Sequence, residues 1–229
     1  PSTKRGPEAF QAALDLPVSD QGGLTCQPIT GLHYDVAELD FASQYPNLIV
    51  RDNLSYETVT PGGVKQGVEA ILPYVTKRFL ERRLHFKGLR KMYPRGSPEY
   101  NFCEQRQGAL KSILVCLYGT SGCCWNRFGN VLCFEEINSR SREAMMVARD
   151  CAQERGFEVV YGDTDSIFLE NPSDEQIEEL IRGSVKTLGI ELEVDKVYRY
   201  VIFSKRKKNY LGVYADGSVD IKGLTGKKR

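Results

Sequence analysis

The stretch Val159-Val160-Tyr161-Gly162-Asp163-Thr164-Asp165-Ser166-Ile167-Phe168-Leu169 limits the possible folds more than any other part of the chain. Two short β-branched and aromatic runs flank a Gly-Asp-Thr-Asp centre, which predicts a β-hairpin with two carboxylates at its tip. Carboxylates two residues apart within an apolar strand pair repel each other. A hard divalent cation such as Mg²⁺, which prefers carboxylate oxygen, would remove that conflict. An ordinary acidic turn reads the same way in isolation, so the rest of the chain has to decide.

A second carboxylate ends a second strand. Over residues 32–41, Val36, Glu38 and Asp40 fall on one face and Ala37, Leu39 and Phe41 on the other. Pro46 disfavours a helical Tyr45, so a turn is expected there, followed by a short apolar segment at residues 47–50. Residues 1–28 read as an irregular lead-in. Pro61-Gly62-Gly63 reads as a break. Helical periodicity then covers residues 68–91, with Pro73 either in the first turn or at a kink. Arg83 and Lys87 are one turn apart on it. A second helix is expected over residues 101–118, so the pair forms an antiparallel hairpin. Lys111, Val115 and Tyr118 share a face of it, and Arg83, Lys87 and Lys111 are three cations that one groove could gather.

Residues 119–129 read as a loop and 134–155 as a helix closed by Gly156. Ser173 and Gln176 form a capping box ahead of an amphipathic helix that ends at Gly189. Two strands are expected at residues 191–194 and 198–204, then a hairpin turning at Ala215-Asp216-Gly217-Ser218. The fold class is therefore α+β: an antiparallel sheet with helices on one face and an inserted antiparallel helical hairpin.

Charge matters here by its distribution. Thirty-one Lys and Arg oppose 30 Asp and Glu, for a net charge of +1. Residues 77–106 and 205–229 are nevertheless basic and 170–195 acidic, which suits a polyanion along one face. The seven cysteines include no CxxC pair, as expected of reduced thiols in an intracellular, cytoplasmic protein. No apolar run is long enough to span a bilayer. If Asp40 and the Asp163/Asp165 hairpin lie on adjacent strands, they could hold two Mg²⁺ ions ~3.5–4 Å apart, the arrangement used in phosphoryl and nucleotidyl transfer.

These blocks carry a resemblance. Asp40-Phe41-Ala42-Ser43-Gln44-Tyr45-Pro46-Asn47 resembles the first catalytic motif of the family B DNA polymerases, DxxSLYPS. Arg106-Gln107-Gly108-Ala109-Leu110-Lys111, ending in Tyr118-Gly119, resembles their fingers motif KxxxNSxYG. Tyr161-Gly162-Asp163-Thr164-Asp165-Ser166 matches YGDTDS in full. Lys207-Lys208-Asn209-Tyr210 resembles the KKRY block, and Asp220-Ile221-Lys222-Gly223, leading to Lys227-Lys228-Arg229, resembles the segment before the thumb. The order is that of the family's palm and fingers, most like the archaeal replicative type.

The resemblance implies a lead-in and first part of the palm at residues 1–62, fingers at 63–119 and the remaining palm at 120–229. It implies Asp40 and Asp165 as the principal ligands of two Mg²⁺, with the Phe41 carbonyl completing the site and Asp163 as an outer carboxylate. Tyr45 would exclude a ribose 2′-OH. Arg83, Lys87 and Lys111 would grip a triphosphate, and Tyr118 and Gly119 would border the nascent base pair. Lys207, Lys208 and Tyr210 would hold the duplex. The implied partners are primer-template DNA, dNTPs and a further chain or segments with exonuclease, amino-terminal and thumb domains. A sliding clamp is left open, and a nucleoid-associated location follows. The abrupt ends at Pro1 and Arg229 lead to the expectation of a fragment or a subunit of a split polymerase.

Two departures stand out. Gln44 and Asn47 replace the Leu and Ser that flank Tyr-Pro, and Val115 and Cys116 replace the Asn and Ser of the fingers motif. Weakened nucleotide binding is expected from Val115, because a contact to a charged group is worth about 1.5–3 kcal/mol. The competing readings are a non-catalytic or weakly active relative that binds DNA or organises a replication complex, and a two-metal nuclease. A nuclease leaves Tyr45 and the three cations unexplained.

Overall fold

The acid-tipped hairpin forms where the sequence places it. In the computed structural model, which describes residues 22–123 and 125–223, strands β4 (Glu158–Asp163) and β5 (Ser166–Glu170) pair antiparallel around Thr164, whose φ is +60°. The expectations for residues 1–21, Cys124 and Lys227-Lys228-Arg229 fall outside the described residues. The chain divides into two compact units, one holding residues 45–139 and the other residues 23–44 with 140–223.

The second unit is built on a six-stranded antiparallel sheet. Its other strands are β1 (Gly31–Phe41), β6 (Leu192–Phe203), β7 (Tyr210–Val213) and β8 (Val219–Lys222), in the order β4-β5-β1-β6-β7-β8. Central β1 is buried along most of its second half, as a strand paired on both edges requires. An aromatic cluster of Tyr161, Phe168, Phe203 and Tyr210 fills the core, with ring centroids 5.2–6.5 Å apart. Gly212 lets Tyr198 lie flat on β7, since a Cβ there would come within 2.4 Å of the Tyr198 ring.

The helix after β5 runs over Asp174–Leu188, with the Ser173/Gln176 capping box formed and Gly189 closing it at φ +66°. Two separate strands were expected between residues 191 and 204, but β6 is continuous. A register shift between Glu38 and Leu39 absorbs the polar Asp195-Lys196 interruption.

The first unit is mainly helical. Helix α1 (Gln44–Arg51) overturns the expected turn at Tyr45-Pro46, because Pro46 lies in the first turn, where its missing N–H costs nothing. A two-residue hairpin, β2 (Val59–Thr60) with β3 (Gly63–Val64), turns at Pro61-Gly62. Helix α2 spans Ile71–Arg90 with Pro73 in its first turn. Its N-cap, Ala70, has no side chain to offer. Glu57 accepts from the Ile71 N–H at 2.5 Å and Ser55 from Leu72 at 3.3 Å instead.

Helix α3 covers Pro98–Ser121, starting before and ending after the expected limits. Ser97 caps it by accepting from Tyr100, and Pro98 takes the first position. The α2–α3 hairpin is antiparallel, tied by the Arg90–Glu104 ion pair and by Phe86 edge-on to Phe102. Helix α4 spans Val131–Glu154. In this unit it contributes Cys133 and Ile137 to a core with Ile49, Leu54 and Val59. Burial pushes the Cys133 thiol up to about 12, so it stays neutral. Among the described residues no helix is long and apolar enough to cross a membrane.

Candidate active site

In the sheet unit, strand register brings the separated carboxylates together. Asp40 sits opposite Ser166, and the Phe41 N–H donates to the Asp165 carbonyl at 2.9 Å. Asp40 and Asp165 therefore end adjacent strands, both half-buried. Asp163 is placed differently. Its carboxylate pairs with Lys208 at 2.8 Å and accepts from the Thr25 and Thr164 hydroxyls at 3.2 Å each.

The second half of the sequence-predicted lead-in has a role in this arrangement. Residues 24–29 run beside β4: Cys26 donates to the Gly162 carbonyl and Thr164 to that of Leu24, while the Lys207 ammonium donates to the Thr25 carbonyl. Thr25 escaped the sequence analysis because a lone threonine in a Gly- and Pro-rich segment carries no periodic signal.

The Lys207-Lys208 turn is locked to the hairpin from below. Lys208, at φ +60°, donates its N–H to the Tyr161 hydroxyl at 2.9 Å. Burial pushes the Tyr161 phenol up to about 12, which keeps it neutral. Tyr210 is 6% exposed inside the aromatic cluster and supports the turn from within.

A buried polar network lies two residues before Asp40. The Lys196 ammonium bridges Glu38 (3.0 Å) and Asp220 (3.2 Å), and the Tyr198 hydroxyl lies 3.0 Å from Glu38 and 2.8 Å from Asp220. Glu38 is 7% exposed, and burial raises its carboxyl despite Lys196. Burial also works against the Asp220 charge, yet Tyr198 and Lys196 hold that carboxyl below the usual range. Glu38 was visible in the sequence only as an alternating strand residue.

The oxygen donors suit a hard cation. Mg²⁺ is usually bound through one or two carboxylates plus substrate phosphates, not by an all-protein cage. Asp40, Asp165 and the Phe41 carbonyl fit that description. Among the described residues no three His, Cys, Asp or Glu side chains are grouped closely enough to make a closed metal site.

In the helical unit, the Arg90–Glu104 pair sets the register of the hairpin. Arg83 lies two turns before Arg90 and Lys111 two turns after Glu104, so antiparallel packing brings both to one level, with Lys87 a turn away. Tyr45 and Tyr118, from α1 and α3, stack with centroids 4.2 Å apart. Gly119 is exposed, and a Cβ added there would meet no neighbour.

Acid strand, cationic helical hairpin and acid hairpin thus recur in the order of one known family, and its profile matches residues 11–67 and 64–229. The chain belongs to DNA polymerase family B. Members of this family work with divalent metal ions. DNA polymerase 2 of Aeropyrum pernix is 36% identical over 89% of this chain, and DNA polymerase 1 of Saccharolobus solfataricus is 35% identical over 91%. The structure of the family B DNA polymerase from the hyperthermophilic archaeon Pyrobaculum calidifontis superposes with a TM-score of 0.75 at 33% identity, covering 89% of this chain and 29% of that one. This chain spans 27% of the length of the Aeropyrum relative and 26% of the Saccharolobus one.

The two departures from the family B motifs have different structural characters. Gln44 is 2% exposed, accepts from the Ser141 hydroxyl at 2.8 Å and donates to the Ser141 carbonyl at 3.4 Å. A buried amide thereby finds its partners where the family motif has an apolar side chain. Val115 is 58% exposed on α3, so no packing among the described residues accounts for a β-branched residue there.

Proposed function

We propose that this chain is the catalytic core of a template-directed DNA polymerase, which joins a deoxynucleoside triphosphate to a primer 3′-OH. The 3′-oxygen attacks the α-phosphorus, the hydroxyl proton is lost, and pyrophosphate leaves. The observation that carries this reading is the pairing of Asp40 beside Asp165, fixed by the Phe41–Asp165 backbone bond.

Asp40, Asp165 and the Phe41 carbonyl would hold two Mg²⁺. Bound there, the ions would lower the pKa of the attacking hydroxyl and neutralise the leaving pyrophosphate. Asp163, neutralised by Lys208, positions the hairpin tip. Tyr45 is the wall against a ribose 2′-OH. Arg83, Lys87 and Lys111 grip the triphosphate, Tyr118 and Gly119 border the nascent pair, and Lys207 and Lys208 follow the DNA backbone. Residues 63–119 act as fingers and residues 1–62 with 120–229 as palm. Exonuclease, amino-terminal and thumb regions complete the working assembly.

The test is primer extension with Mg²⁺ and dNTPs, comparing the wild type with Asp165→Asn, with and without the remaining regions of a family B polymerase. Loss of a metal-holding carboxylate should slow extension by about 10³-fold or more. Undiminished extension by Asp165→Asn rejects the metal assignment. The exposed Val115 favours a second reading, a weakly active or non-catalytic relative that binds DNA or organises a replication complex. Absence of extension by the supplemented wild type decides for it.

A further inference from the structure

Tyr45 and Tyr118 are the top two rings of a three-ring pile. Tyr118 stacks in turn on Phe134, with centroids 5.2 Å apart and planes at 21°. Its hydroxyl donates to Asn138 Oδ1 at 2.5 Å. Asn138 is 1% exposed, and both it and Phe134 come from α4, one turn apart and therefore on one helix face. The pile thus joins residues of three helices, and Tyr45, Tyr118, Phe134 and Asn138 all lie within the helical unit.

A ring that excludes a 2′-OH acts through a difference in energy. The clash it imposes cannot exceed the cost of the ring swinging aside, because a mobile ring simply makes room. Tyr45 sits in the first turn of an eight-residue helix, a weak anchor by itself. Its ring packs against the core around Ile49 and Ile137, and the ring of Tyr118 behind it adds a stacked wall against displacement. Tyr118 in turn is held by its hydrogen bond to the buried Asn138 side chain, which would be lost if the ring moved.

We propose that Asn138 and Phe134 are positioning residues for sugar selection, fixing Tyr118 so that Tyr45 cannot yield to a ribonucleotide. Neither residue touches the substrate. Each acts through the stack: Asn138 by directional hydrogen bonding, Phe134 by the face it presents. The inference rests on the polymerase reading and on Tyr45 as the sugar wall.

The test compares wild type, Asn138→Leu, Asn138→Asp and Phe134→Leu for the ratio of dATP to ATP use in primer extension opposite thymine, with thermal melting to confirm folding. Asn138→Leu, similar in size but without an acceptor, should reduce discrimination against ATP about tenfold, a change of one hydrogen-bond equivalent. Asn138→Asp keeps the Oδ acceptor and should restore it. Phe134→Leu should weaken discrimination by a separate route, with the hydrogen bond intact. Equilibrium binding of dATP and ATP on a dideoxy-terminated primer reads the same ratio without turnover. If the wild type binds dATP in preference to ATP but extends nothing, the polymerase reading fails while the inference is still measured. Unchanged ratios in folded Asn138→Leu and Phe134→Leu overturn the inference, as does a wild type that binds the two nucleotides equally.

Discussion

The two units carry opposite charges on different scaffolds. The sheet unit presents carboxylates from strand ends, where backbone ladders on both sides set their positions. The helical unit presents cations on long, flexible side chains and aromatic rings on helix faces. On the proposed reading the carboxylates hold metal ions, which would require the close placement that paired strands supply. On the same reading the cations meet a triphosphate, whose many oxygens tolerate approach from several directions, so Arg and Lys on a helix would suffice.

Both units pair charges locally. In the sheet unit Lys196 lies between Glu38 and Asp220, and Lys208 on Asp163. In the helical unit Arg51 pairs with Asp52 at 2.6 Å and the Arg90–Glu104 pair closes the hairpin, with Arg83 and Lys111 each two turns from it.

The largest test of this contrast is within the carboxylates. If Asp163 is a positioning charge held by Lys208, Asp163→Asn should lower extension by about 10–100-fold, well short of the Asp165→Asn loss. Steady-state rates for the two variants settle the ranking, and equal losses would make Asp163 a ligand.

The helical side can be sharpened by a gain. Val115→Asn puts a donor on the exposed face shared with Lys111 and should tighten dNTP binding by about 1.5–3 kcal/mol, or at least tenfold in Kd. A titration showing no change would detach that face from the triphosphate.

Smaller effects probe the compensated network. Tyr198→Phe removes the hydroxyl beside Glu38 and Asp220 and should cost about 1–3 kcal/mol of stability, read as a fall in the denaturant midpoint. The pH dependence has a defined sign. Asp220 is held below its usual range, so its contribution is full above its unfolded pKa, about 3.9, and is lost as pH falls through the folded value. The wild type should therefore lose part of its advantage over Tyr198→Phe below pH ~4. An advantage that is flat across that window removes Asp220 from the account.

The least energetic test is of burial. Exposed Cys116 should react with a maleimide at neutral pH, while Cys133 and Cys103 should label only on unfolding. Rapid labelling of Cys133 in the folded chain would place the core of the helical unit elsewhere.

Much of this was legible in the sequence. Alternation gave β1 and the acid hairpin, the capping box and Gly189 bounded the helix between β5 and β6, and motif order pointed to family B. The misses share a cause. Pro46 reads as a turn former in the sequence, but it occupies a helix's first turn, where proline is at home. Continuous β6 was split because a bulge hides a polar pair inside one strand. Thr25, Phe134 and Asn138 went unnoticed because their importance lies only in what they touch.

The sequence by itself therefore determined the elements and the chemical types at their ends, since local periodicity and capping act within a few residues. Only the tertiary structure decided that Asp40 ends beside Asp165, that Asp163 belongs to Lys208, that Tyr210 lies in the core, and that Tyr45 rests on a stack anchored at Asn138. Those outcomes depend on strand register and ring packing between segments tens of residues apart or more, and no local pattern encodes which partner a side chain will meet.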